Sequence, residues 1–222
     1  MQGPLGGVAV IFDLDGTLFD TAADLAASMN HVLARHGRAA VPPGRVRHLV
    51  GHGARAMLDH GFRENGGAPS AGLDDHVAQF LDYYLDHIAD QSRPFPGALA
   101  ALDALEADGA AIAICTNKRE AWARALVDAL GLAARFPTII GADTVGAAKP
   151  DARPVLAALA RTGAKKGVFV GDSDTDIRAA RAAGMPSIIA LFGYGPLDQL
   201  DDAFGAFSAY ADAPALIRRA AR

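Results

Sequence analysis

The chain has little cysteine, little lysine and few aromatic residues, and each shortage narrows what it can be. A single cysteine, Cys115, in 222 residues excludes an internal disulfide and fits a reducing compartment. Lying late in an apolar run, it reads as a small core residue and not as a nucleophile. Aromatic residues make up 7%, the net charge is −4 and no basic run occurs, which argues against nucleic acid as a partner. No stretch approaches the roughly 18 apolar residues of a membrane span, and the N-terminus lacks the charged start of a signal peptide. A cytoplasmic protein bound to neither membrane nor nucleic acid is expected. The seven histidines show no zinc spacing, and His31, His36, His60, His76 and His87 read as helix-surface residues.

What the chain does have is carboxylates at the ends of apolar runs. With 51% hydrophobic and 21% charged residues, it is long enough for one α/β core and a smaller appended unit. The run Val8 to Phe12 leads directly into Asp13-Leu14-Asp15-Gly16-Thr17-Leu18. Two carboxylates one residue apart project to the same side of an extended chain, and buried acids need a shared cation or proton. If the run is a parallel strand, its carboxyl end is where reactive groups collect in an open α/β sheet. Three later segments, each at or just beyond an expected strand end, supply other polar groups: Ile112 to Thr116 followed by Asn117 and Lys118, then Ala148-Lys149-Pro150, then Val168 to Gly171, which delivers three more carboxylates in Asp172, Asp174 and Asp176, with Ser173 among them. With only four lysines in the chain, Lys149 beside such a segment reads as a deliberate point charge. Lys118 could equally be a solvated helix start. Asp174 reads as a helix cap or solvated residue, and Ser173 as either a cap or a ligand contact.

Between the first and second segments the strand-helix alternation stops. Residues 19–93 have helical periodicity, with Leu25, Met29, Val32 and Leu33 on a first helix and further helices at 45–50, 54–63 and 73–89. The last places Val77, Leu81, Leu85 and Ile88 on one face beside Phe80 and Tyr84, all read as core. Four helices with short loops imply a small bundle. From Gly97 onward helices and strands alternate, which implies a mostly parallel, doubly wound sheet with helices on both faces. The expected fold is therefore α/β, with a core from residues 1–18 and 94–222 and a helical insert over 19–93.

The four segments, in this order, resemble the haloacid dehalogenase superfamily of aspartate-based phosphotransferases, and the insert resembles the cap of one branch. The resemblance implies that Asp13 is the nucleophile, forming an aspartyl-phosphate, and that Asp15 protonates the leaving alcohol and then activates water. It implies Thr116 and Lys149 on the phosphate, with Thr17 and the main-chain amide of Asn117 assisting. The hard divalent cation such chemistry needs fits Mg²⁺, on Asp13, the Asp15 carbonyl and Asp172, with Asp176 nearby or acting through water. At the third motif Ala152 stands where a second proline is common, which softens the loop without removing a chemical group. The turn Gly51-His52-Gly53-Ala54-Arg55 resembles that of phosphoglycolate phosphatases; exposed N–H groups and the Arg55 cation would suit a small carboxylate. The same turn could simply join two helices. A small phosphorylated metabolite is the expected partner, and a monomer or homodimer the expected assembly. A phosphatase or mutase of a small sugar phosphate is the near alternative. A phosphoacceptor receiver domain, the distant one, needs neither Asp15 nor a cap.

Overall fold

The computed structural model describes residues 3–67 and 72–222; residues 1–2 and 68–71, which fall within the two expected domains, lie outside that description. Strand β1 (Val8–Phe12) is buried along its whole length. Its side chains alternate between two cores: Val8, Val10 and Phe12 face one, and Ala9 and Ile11 the other. β1 pairs in parallel with β4 (Ala111–Cys115) on one side and β6 (Lys166–Gly171) on the other. β5 (Thr138–Ile140), β7 (Ser187–Ala190) and β8 (Gly205–Phe207) complete a parallel sheet of order β5-β4-β1-β6-β7-β8. The chain runs outward from β1 through β4 to β5, then returns to β6 on the opposite side of β1. That reversal opens a crevice beyond the carboxyl ends of β1 and β6.

Helices α7 (Ala152–Thr162) and α8 (Asp174–Ala182) cover one face, where Val155, Ala158, Ala179 and Ala180 pack on Ile11, Cys115 and Phe169. Cys115 is accordingly a core residue, fully buried with its thiol pushed up to about 12 by burial. On the other face lie α5 (Ala98–Ala107), α6 (Glu120–Ala129) and α9 (Ala213–Ala220). β8 and α9 go beyond the sequence expectation: a three-residue strand is too short to show alternation, whereas α9 opens on Asp212 and Pro214, a start signal that could have found it.

The helical segment begins and ends at a two-stranded antiparallel ribbon, β2 (Phe19–Asp20) against β3 (Arg93–Pro94). Next to it, the buried Asp24 carboxylate accepts hydrogen bonds from the main-chain N–H groups of Gln91 and Ser92 and from the Ser92 hydroxyl, tying the two passes of chain together. Between them run α1 (Ala22–Arg35), α2 (Pro43–Val46), a 3₁₀ stretch Arg47–His52, α3 (Ala54–Glu64) and α4 (Asp74–Asp86). The helix expected at 45–50 is thus one α-turn followed by 3₁₀, because Gly51 and Gly53 interrupt its continuation. The buried face of α4 is His76, Phe80 and Tyr84, whereas Leu85 is 39% exposed. Ile88 is buried as well and Val77 and Leu81 pack against the core, so of the expected face Leu85 alone turns outward. His76 is therefore not on the surface: it packs between His36 and Phe62, with ring centroids 4.5 and 5.5 Å away.

Candidate active site

The β1–β6 ladder continues one residue past Phe12, since Asp13 N donates to Val170 O at 2.8 Å. This fixes Asp13 at the mouth of the crevice, where its Oδ1 accepts from Leu14 N at 2.7 Å and lies 2.9 Å from Lys149 Nζ. Lys149 also donates to Asp176 Oδ1 at 2.7 Å. Its main chain is held by Asn117, whose side-chain amide exchanges two hydrogen bonds with Lys149 N and O at 2.8 and 3.0 Å. The Asn117 side chain thus positions the third motif. The missing proline after Lys149-Pro150 is offset by Asp151, which caps α7 by accepting from Arg153 N at 2.8 Å.

Asp172 follows β6 and is nearly surrounded. Its Oδ1 accepts from the Thr17 hydroxyl at 2.7 Å, and its Oδ2 from Tyr194 N at 2.7 Å and Gly195 N at 3.3 Å. A Cβ on Gly16 or Gly193 would overlap the Asp172 side chain, and Gly16 has φ of +83°. Asp176, on α8, accepts from Asp172 N at 3.1 Å and from the Ser173 hydroxyl at 2.7 Å. Ser173 is the N-cap of α8, one of its two expected roles, and it also lines the cavity. Asp174 is neither a cap nor solvated: buried, it accepts from Asp198 N and Gln199 N at 3.1 and 2.9 Å and pins the following loop.

One carboxylate oxygen from each of Asp13, Asp172 and Asp176 lies within 4.8 Å of the others. Burial, together with the neighbouring acids, raises Asp13 to about 7 against the pull of Lys149. Burial and Asp176 raise Asp172 to about 6. Three converging carboxyl groups, with Asp13 and Asp172 held above their ordinary range and their oxygens already oriented by second partners, fit a hard divalent cation, which would let those two ionise.

On the other side of Asp13, the Thr116 main chain extends β4 by donating to Ile140 O at 2.9 Å, and the buried hydroxyl accepts from Lys118 N at 3.2 Å. Asp15 accepts from the Thr21 hydroxyl at 2.6 Å and from Lys118 Nζ at 2.9 Å on both oxygens. Lys118 is thus no solvated helix start; its side chain is 5% exposed and sits 4.9 Å from the Tyr84 ring centroid. Burial alone would favour loss of its proton, but Asp15 and Tyr84 outweigh it and hold the ammonium above its ordinary range. The scarcity of lysine was the one sequence signal that could have promoted it.

Two lobes meet at Asp13, Asp15, Gly51 and Asn117. The larger, of about 260 Å³, runs past Lys149, Asp172 and Asp176 to His48, His52 and Tyr194. The smaller, of about 130 Å³, is walled by Leu25, Phe80, Leu81 and Tyr84, with Thr116 and Lys118 at its base and Gly53 and Ala54 at its rim. Two expected substrate contacts fall elsewhere. Arg55 lines neither lobe and pairs with Asp74 on the surface, because the turn aims its side chain away from the crevice. Thr17 is fully buried behind Asp172 and acts on that carboxylate. Tyr194, unforeseen as a polar contact, brings its hydroxyl to Asp20 and accepts from Thr21 N at 2.8 Å, linking the loop after β7 to the start of α1.

A family model described as haloacid dehalogenase-like hydrolase matches residues 10–190. The chain is 45% identical over 193 residues to the phosphoglycolate phosphatase of Caulobacter vibrioides, covering 86% of this chain and 81% of that one. It is also 45% identical over 195 residues to the phosphoglycolate phosphatase of Agrobacterium fabrum, with 86% and 83% covered. Among solved structures, a predicted phosphoglycolate phosphatase from Haemophilus somnus superposes with a TM-score of 0.83 at 27% identity, covering 92% of this chain and 95% of that one.

Proposed function

The chain belongs to the haloacid dehalogenase-like hydrolases and is a phosphatase, and we propose that it is a cytoplasmic enzyme that hydrolyses 2-phosphoglycolate to glycolate and phosphate. The observation that carries the reading is the convergence of all four motif segments on one crevice of a chain whose relatives bear that name. An Asp13 carboxylate oxygen attacks phosphorus and the ester P–O bond breaks. Asp15 supplies the proton to the departing glycolate oxygen. Water then attacks the aspartyl-phosphate, Asp15 takes the water proton, and phosphate leaves as Asp13 is restored. Thr116 donates to a phosphate oxygen, and Lys149 offsets the charge on the transferring group. Asp13, Asp172 and the Asp15 carbonyl, supported by Asp176, would hold Mg²⁺, which would supply the charge neutralisation that an anionic nucleophile needs to meet a phosphate dianion.

The test is phosphate release from a panel of phosphate esters with Mg²⁺ present, with no acceptor sugar added. The expected result is the highest kcat/KM for 2-phosphoglycolate, lost on chelation with EDTA. Preference for hexose phosphates, or turnover only when a sugar acceptor is supplied, would replace this reading with a sugar-phosphate enzyme.

A further inference from the structure

A carboxylate-bearing substrate needs a receptor for its second charge, and Arg55, the cation that the sequence offers, is engaged with Asp74 outside the crevice. The substrate itself limits where the receptor can be. In 2-phosphoglycolate one methylene separates the ester oxygen from the carboxylate carbon, so the carboxylate stays within about a hydrogen-bond length of the oxygen that Asp15 protonates. Whatever binds it must border Asp15.

Two groups there have donors to spare. Lys118 Nζ carries three N–H bonds; contacts at 2.9 Å to the two Asp15 oxygens account for two of them and leave one. The Tyr84 hydroxyl is buried beside the Lys118 ammonium but makes no hydrogen bond of normal geometry, and its O–H has no acceptor among the described residues. Both line the smaller lobe, beside apolar walls from Leu25, Val50, Phe80 and Trp122. A buried hydroxyl left without a partner costs stability, and it recovers that cost only when something else occupies the lobe. From this geometry we propose that Lys118 and Tyr84 together bind the carboxylate of the substrate, one N–H and one O–H to its two oxygens. The pair would select phosphate esters whose leaving group carries an anion one carbon from the ester oxygen. The proposal rests on the phosphoglycolate reading and deepens it. The apolar wall strengthens both bonds by excluding water.

The test compares 2-phosphoglycolate with ethyl phosphate, an ester of matched length that lacks the carboxylate, in Mg²⁺-loaded wild type, Y84F, K118M and K118R. In Y84F, kcat/KM for phosphoglycolate is expected to fall about tenfold more than for ethyl phosphate, through KM. In K118M the excess loss is expected to be larger, roughly a hundredfold, and partly recovered in K118R. Equal losses for the two esters would mean that Lys118 and Tyr84 only shape the site, and would overturn the proposal. So would a lowered Tm in Y84F, since removal of an unpartnered hydroxyl leaves Tm unchanged or raised. A wild type that does not prefer phosphoglycolate over ethyl phosphate would sink the substrate reading itself, a result distinct from either.

Discussion

The sheet side and the helical side of the crevice are built to opposite rules. Beyond the strand ends each polar group is used more than once: Asp172 takes bonds from Thr17, Tyr194 and Gly195, Asp176 from Lys149, Asp172 and Ser173, and Asn117 secures Lys149. In the helical segment groups such as Asp24 are also saturated, but others are left over. The buried side-chain polar atoms without a hydrogen-bond partner among the described residues, including Arg47 Nε, both ring nitrogens of His76 and the Tyr84 hydroxyl, all lie between residues 47 and 84. All four lysines are in the sheet half and all seven histidines in the helical half. The contrast separates two tasks. Groups that stabilise a transition state must be in place before the substrate arrives, whereas groups that recognise one substrate among many need donors still free to receive it.

The contrast is tested first at its saturated end. D13N is expected to lower kcat by roughly 10⁴-fold or more with the fold intact, since an amide is not an anionic nucleophile. Activity within tenfold of wild type would mean that the nucleophile is another residue. Next in size is G193A. The new methyl overlaps the Asp172 side chain, so metal activation should weaken roughly 10–100-fold, as outer-shell damage does at metal sites; an unchanged metal titration would show that the loop yields freely.

A third expectation concerns pH. Asp13 and Asp172 are raised to about 7 and about 6 in the folded chain, chiefly by burial, so between pH 4 and 7 the metal-free fold binds more protons than the unfolded chain. Its stability from these groups is fullest below pH 4 and declines as pH rises through that window. A cation replaces the protons, so the rise in Tm on adding Mg²⁺ should be greater at pH 7.5 than at pH 5. A larger rise at pH 5 would contradict the assigned ligands. The smallest effect is expected at R55A. With both partners exposed, the Arg55–Asp74 pair contributes about 0–1 kcal/mol, and selectivity for phosphoglycolate should not move; a selective loss would return Arg55 to the substrate.

Much of the sheet side could be read from order and spacing alone. Asp13, Asp15, Thr116 and Asp172 all stand at or just past the end of an apolar run, and a parallel sheet carries every such end to one edge, whereas Lys149 lies nine residues beyond β5 and is brought there by a loop that Asn117 holds. The helical side could not be read this way. The Gly51 to Arg55 turn suggested a cation facing the substrate, but which way a side chain leaves a helix start depends on how the helix docks. Asp74, distant in sequence, captured Arg55. Thr17 sits in the first motif and still faces backward, because Asp172 arrives behind it from β6.

The chain by itself therefore determined the alternating core, the site of the helical insertion and the acids at the strand ends, because these follow from periodicity and from residues close in sequence. Only the tertiary structure decided what surrounds Asp15. Lys118 comes from the end of β4 and Tyr84 from the last helix of the insert, and nothing local brings an ammonium and an aromatic ring together across 34 residues. Their meeting depends on how α4 docks, with Phe80 and Tyr84 buried as expected, His76 buried beside them and Leu85 turned outward. A long-range contact of this kind is set by which faces of whole helices and strands pack together, and periodicity within one helix does not name its partner.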